Sequence, residues 1–207
     1  MYKRQLKIGI DFLALLGIEV PESPQPQDLQ GEIAAISQAM EGKAIAELAN
    51  LPLMEDKYQL AKVNIFANIL PCCYQAKPAL FPWVNSKVMQ LLIQYGNTPQ
   101  SPLAYGNHGI ICTLFLQDFT SAHEYGKLAC QLDLSPKTGD GVSGRFLTGT
   151  CINHLSTHVK ESLSLFLKAY QSGIETGNFQ FGGMAIAKRS EYLYFCLLYT
   201  SPSPRDA

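Results

Sequence analysis

The sequence predicts an all-α fold in which antiparallel helical hairpins stack side by side as an α-solenoid. Three observations carry the prediction. Apolar residues recur with helical spacing in segment after segment, short Gly-, Pro- and Asn-containing breaks separate the segments, and no convincing run alternates apolar and polar with period two. Hydrophobic residues make up 47% of the 207-residue chain and charged residues 16%, which favours a packed chain over a disordered one.

The elements follow in order. Leu6 to Leu16 carries Leu6, Ile8, Ile10, Phe12, Leu13, Leu15 and Leu16, dense enough for a buried helix end, although Ile8, Ile10 and Phe12 also fit a strand. Gly17 is the expected stop, and the Pro21–Pro26 stretch reads as an extended connector. Gln27 to Met40 places Leu29, Ile33, Ile36 and Met40 on one helical stripe, ended by Gly42. A short helix over Ala44–Leu51 closes at Pro52. Glu55 or Asp56 is placed to cap the next helix, which carries Leu60, Val63, Ile65, Phe66 and Ile69 to an expected break at Pro71.

A helix from about Pro78 to Tyr95 stops at Gly96-Asn97. Ser101-Pro102 opens another as N-cap and first residue, reaching Leu116. Thr120 or Ser121 is expected to cap the one that runs to Leu132 or Leu134, and Pro136–Gly141 reads as a loop. Helices at Ser143–Leu155, Lys160–Glu175 and Phe179–Tyr194 complete the series, with Gly177-Asn178 as a stop.

Weak self-similarity supports a repeat. Ala122-x-x-Tyr125-Gly126-x-x-Ala129 compares with Ala169-x-x-Ser172-Gly173-x-x-Thr176, 47 positions later. Gly96-Asn97 with Ala104 likewise compares with Gly177-Asn178 and Ala185. Small residues at this spacing let a neighbouring helix approach closely. The spacing of Ala122 and Ala129 matches the second helix of a tetratricopeptide unit, so the predicted architecture is antiparallel hairpins stacked as a tetratricopeptide-like α-solenoid.

Charge argues against some partners. A formal net charge of -1 gives no field for nucleic acid or an anionic membrane. No apolar run approaches the roughly 20 residues of a membrane span. The six cysteines, Cys72, Cys73, Cys112, Cys130, Cys151 and Cys196, form no C-x-x-C and read as free thiols in a reducing cytoplasm.

Candidate chemistry is sparse. Gly139-Asp140-Gly141-Val142-Ser143-Gly144 matches G-x-G-x-x-G, but a phosphate loop needs a preceding strand and here a helix end and loop come first. His154 and His158 stand four apart, on one face of a helix, without the glutamate a zinc protease places after the first histidine. His108 and His123 are isolated. No G-x-S-x-G, Walker, H-R-D or D-F-G motif occurs, and Glu22, Glu32, Glu41, Glu47 and Glu55 fall at helix ends or on polar faces. Tyr95, Tyr105, Tyr125, Tyr170, Phe166 and Phe181 read as core between helices. The expectation is therefore no catalytic, cofactor-binding or metal residue in this chain.

Both ends look foreign. Residues 196–207, CLLYTSPSPRDA, resemble the translated adapter scar found at the ends of assembled shotgun sequences, and residues 1–5, MYKRQ, resemble the matching scar. The expected organisation is a scar at 1–5, a helical connector over 6–54, tetratricopeptide-like repeats over 55–195 and an adapter-derived tail over 196–207.

Several phrases within these bounds resemble a known family. They are Leu15-Leu16-Gly17-Ile18-Glu19-Val20-Pro21, Ala46–Met54, Leu80-Phe81-Pro82 with Gln94-Tyr95-Gly96-Asn97-Thr98-Pro99-Gln100-Ser101, Tyr125–Ala129 and Ala169–Gly177. Together they resemble the helical region of very large cyanobacterial-type multidomain signalling kinases. Such proteins join a serine/threonine kinase, a nucleotide-binding signalling ATPase, a tetratricopeptide-like region, a GAF domain and a histidine kinase. The resemblance implies a non-catalytic sensor, relay or protein-interaction segment in two-component signal transduction. It implies a cytoplasmic location, and partners that are neighbouring domains of the same chain or other signalling proteins. ATP and Mg would serve the parent's other domains, and none of the family's catalytic residues maps onto this chain. The alternative is a self-contained helical ligand-binding or enzymatic bundle, which needs an enclosed pocket with convergent polar groups. A nucleic-acid-binding array would need a basic stripe.

Overall fold

The computed structural model describes residues 2–132 and 140–200, with side chains at 2–132 and 141–196. Among these residues the fold is all-helical, and the sole extended pairing is a parallel bridge between Leu53 and Asn97. The α-helices are α1 (Tyr2–Leu15), α2 (Pro26–Ala39), α3 (Lys57–Ala76), α4 (Leu80–Tyr95), α5 (Ser101–Ile111), α6 (Phe119–Gln131), α7 (Asp140–Leu147), α8 (Ser162–Thr176) and α9 (Phe179–Thr200). Tyr2–Gln5 belong to α1, and the backbone of Cys196–Thr200 to α9. No described helix is long and apolar enough to cross a membrane.

Local chemistry explains most boundaries. The strand alternative for Ile8–Phe12 gives way to α1, which buries Leu6, Gly9 and Leu13 on one side and ends before Gly17 at φ 74°. The stripe on α2 turns Ile36 fully inward and half-buries Leu29, Ile33 and Met40. Asp56 caps α3, its carboxylate accepting from Tyr58 N at 2.8 Å and Gln59 N at 3.1 Å.

Several expected boundaries are corrected. Pro71 does not break its helix, for α3 runs through it to Ala76. An interior proline costs roughly 3 kcal/mol. Ile69, Leu70, Cys72 and Cys73 around it are all buried, and their burial offsets that cost. The Ala44–Leu51 helix is a tighter 3-10 turn over Ile45–Asn50. Gln100 occupies the N-cap position of α5 instead of Ser101, and Ser101 Oγ accepts from Thr98 N at 2.9 Å. Asp118 caps α6 instead of Thr120 or Ser121, accepting from Ser121 N at 3.0 Å. Beyond Ile111 and Leu147 the chain widens into π-helical turns, Cys112–Leu116 and Thr148–Ile152, before changing direction. The first of these turns ends at Gln117, φ 54°. The expected Pro136–Gly141 loop lies outside the described residues at 136–139.

The packing order is simple. α1 lies on α3, α2 on α4, and α3, α4, α5 and α6 pack in succession, with the Ile45–Asn50 turn laid against α6. α7 then meets α5, α6, α8 and α9. One apolar core runs through α1–α6 and Ile152, and a smaller one joins Val142, Phe146, Phe166, Ala169 and Ala185, with Leu147 touching both. The expectation that Tyr105, Tyr125 and Phe166 fill core holds, since all three are buried.

The small residues sit where helices come closest. A Cβ on Gly173 of α8 would stand 2.8 Å from Gly182 Cα of α9, and one on Gly126 of α6 would stand 3.0 Å from Thr148 Cγ2. The last glycine of G-x-G-x-x-G has the same role, for a Cβ on Gly144 would meet Ala129 O at 2.3 Å.

Candidate functional site

The sequence-flagged residues do not assemble. His154 lies in a 3-10 turn (Asn153–Leu155), and His158 precedes the next one (Val159–Glu161). They therefore do not share a helix face, and the four-residue spacing loses its meaning. Both are exposed, and His158 Nδ1 accepts from Lys160 N at 3.1 Å as a cap. Among the described residues no group of three His, Cys, Asp or Glu is placed to hold a metal ion. Gly141 to Gly144 lie on α7, which has no strand before it among the described residues, and Gly139 lies outside them.

Cys72, Cys73, Cys112, Cys130 and Cys151 are free thiols, and burial raises each of them, which keeps them protonated. Burial, with a smaller push from Cys72, raises the Cys73 thiol to about 12. Burial followed by the nearby Asp118 carboxylate raises Cys112 to about 12. A nucleophilic thiolate needs the opposite environment. His123 approaches a hydroxyl, with Ser156 Oγ and His123 Nδ1 2.7 Å apart. A serine nucleophile also needs its imidazole held by a third group, and no described carboxylate bonds to His123.

Open depressions among the described residues include two worth weighing as sites. The first, about 370 Å³, lies between the Gly17–Glu19 turn, α3 and α4, and is bordered by Lys62, Trp83, Lys87 and Gln90. Its cations are already engaged: Lys87 Nζ is 2.6 Å from Glu32 and above the Trp83 ring, and Lys62 Nζ lies 4.4 Å from the Tyr58 ring centroid. The second, about 400 Å³, is bordered by Asn153, Thr157, His158, Glu161, Ser164 and Leu165.

The densest polar constellation is internal. Asn97, 0% exposed, donates from Nδ2 to Leu48 O at 2.7 Å and accepts from Tyr105 Oη on Oδ1 at 2.7 Å. Its backbone N–H donates to Pro52 O at 2.7 Å, and its carbonyl accepts from Met54 N at 2.8 Å. Three of these hydrogen bonds tie the Leu48–Met54 segment to the α4–α5 turn, and the fourth ties Asn97 to Tyr105 on α5. Gly96 makes the approach possible: its φ is 110°, and a Cβ there would stand 2.2 Å from Pro52 O.

Tyr105 stacks on Tyr125 at 6.4 Å between centroids, and Tyr125 meets the His108 ring edge-on at 4.7 Å. Burial raises both phenols and lowers the His108 imidazole from 6.5 to about 4. Nearby buried atoms without a hydrogen-bond partner among the described residues are Asn85 Oδ1 and Ser86 Oγ on α4 and His108 Nδ1 on α5.

Sequence reading treated Gly96-Asn97 as a helix stop and His108 as an isolated histidine. The signal for Asn97 was faint: an asparagine after a C-terminal glycine looks like any stop, and its partner Leu48 is 49 residues away. Chemically the constellation positions backbone segments, since it offers no activated nucleophile, no oxyanion-stabilising pair and no metal ligand set. Comparison with protein families, with curated proteins and with solved structures finds no match for this chain.

Proposed function

We propose that the chain is a non-catalytic sensor, relay or protein-interaction segment whose antiparallel hairpins stack as tetratricopeptide-like repeats. In this reading it works within a large multidomain serine/threonine and histidine kinase. The observation that supports the repeat is the order of packing after Asn97. α5 lies against α6 and α7, α6 against α7, α7 against α8 and α9, and α8 against α9. In stacked hairpins the first helix of a unit packs on its own second helix and on the first helix of the next unit. With α5, α7 and α9 as first helices, α6 and α8 become second helices.

The sequence similarities fall into the same frame. Ala122–Ala129 and Ala169–Thr176 lie on α6 and α8, the two second helices. The Gly-Asn stops precede α5 and α9, both first helices, and the alanine seven residues after each asparagine, Ala104 or Ala185, is buried. The kinase context rests on the Tyr95–Ser101 and Ala169–Gly177 phrases. Its partners are the neighbouring domains of the same chain, in the cytoplasm, with ATP and Mg confined to those domains.

The test is the uninterrupted genomic reading frame around this segment. It is expected to carry kinase and ATPase motifs upstream and a phospho-accepting histidine downstream. A frame with neither sinks the kinase assignment.

A further inference from the structure

His108 stands apart from the chain's other histidines. It is 4% exposed, its Nδ1 has no hydrogen-bond partner among the described residues, and its ring meets Tyr125 edge-on across the α5–α6 contact. Tyr125 stacks on Tyr105, and Tyr105 Oη holds Asn97, which holds Leu48, Pro52 and Met54. A single aromatic relay therefore joins this imidazole to the crossing segment. We propose that His108 is an acid-sensitive latch: proton uptake on its ring loosens α6 from α5 and, through Tyr125 and Tyr105, releases the Leu48–Met54 segment from Asn97.

The groups around His108 offer a proton no compensation. The titratable group against it from α6 is Tyr125, a phenol kept neutral by burial. Cys112, four residues on and likewise neutral, and the Asp118 carboxylate act on Tyr125. α4 faces α5 with neutral Asn85, which donates to Ala104 O at 3.2 Å. α7 meets α5 through Leu147 at Gly106, and the following turn brings Ile152 to Gly109. Among the described residues no charged neighbour acts on the imidazole, and burial opposes its cationic form.

The direction follows from linkage. The folded state holds the imidazole near 4 and the opened state returns it to about 6.5, so the opened state binds more protons between these values. The latch is closed above pH 6.5 and weakens as pH falls towards 4, where the opening equilibrium constant has risen by about 150-fold.

Hydrogen exchange at amides 48–54 and 101–131, with the emission of Trp83, tests this in wild type and H108Q from about pH 7.5 to about pH 4. Wild type is expected to lose protection in both segments together as the medium acidifies, while H108Q stays flat across that interval. Identical pH profiles for the two proteins overturn the proposal. H154Q and H158Q, at exposed positions, are expected to keep the wild-type profile, and loss of the transition in either also overturns it. Should H108Q not fold, the His108 ring proton followed by NMR in wild type decides. Titration well below 6.5 in step with opening supports the latch, and an ordinary midpoint with full protection refutes it.

Discussion

Replacing Asn97 by alanine tests whether a buried amide, more than apolar contact, holds the crossing segment in place. The substitution removes Nδ2 and Oδ1 and leaves the backbone bonds to Pro52 and Met54 intact. Tyr105 Oη loses its partner, and Leu48 O loses the shorter of its two bonds, keeping the one from Leu51 N at 3.4 Å. Tyr105 is 0% exposed, so water cannot take the vacated place without the helices parting. An orphaned buried polar group costs about 1–3 kcal/mol and a lost ordinary hydrogen bond about 1 kcal/mol, so the substitution costs about 3 kcal/mol. With a urea slope of about 2–3 kcal/mol/M, the midpoint falls by about 1–2 M. Urea titration followed by emission of the single tryptophan, Trp83, buried on α4, reads the shift. Adding Tyr105→Phe removes the orphaned hydroxyl, so N97A/Y105F is expected to be more stable than N97A by about 1–2 kcal/mol. If N97A costs under about 1 kcal/mol, or the second substitution brings no recovery, the amide is not the pin described here.

Three further outcomes follow from close approaches and caps. Gly31 lies inside α2 with open space around its Cα, so Gly31→Ala is expected to stabilise by about 0.5–1 kcal/mol in the same titration. Gly173→Val places its Cβ against Gly182, so it should destabilise by about 2–4 kcal/mol and raise hydrogen exchange in α8 and α9 before α3 and α4. Asp118→Ala removes the cap of α6 at a cost of about 1 kcal/mol by urea titration. Hydrogen bonds from Ser121 hold the Asp118 carboxyl below its usual 3.8. Its contribution is therefore present above that value and lost as pH falls further, and wild type and D118A should converge in stability at low pH.

What was legible in the sequence is what local chemistry decides. Helical spacing, the glycine stops at Gly17, Gly96 and Gly177, and the Asp56 cap all lie within a turn or two of the structure they cause. Pro71 was misread because its cost is local while its compensation, a helix buried on both sides of the proline, comes from distant elements. His154 and His158 were misread because spacing places two residues on one face only if the helix persists. Here the chain leaves the α-helix at the π-helical turn Thr148–Ile152 and goes on through two short 3-10 turns. Asn97 and His108 carry no pattern at all, since the partners that give them meaning are separated from them in sequence and meet only after packing.

The two halves of the chain are joined differently, and that difference says where the structure is specified. From α5 onward each helix needs only its near neighbours, so contacts are short in sequence and helix–helix approach is set by Gly126, Gly144 and Gly173. Before α5 the pairing skips: α1 seeks α3, α2 seeks α4, and the Ile45–Asn50 turn reaches forward to α6. Apolar burial alone would leave such a crossing free to slide, because burial is non-directional. Directional bonds remove that freedom. The pin at Asn97 fixes the register of Leu48–Met54 against the α4–α5 turn, and Gly96 supplies the space for it. On this reasoning the first helices share one apolar core with α3–α6, and the segment that follows them is fixed to the α4–α5 turn at a buried asparagine.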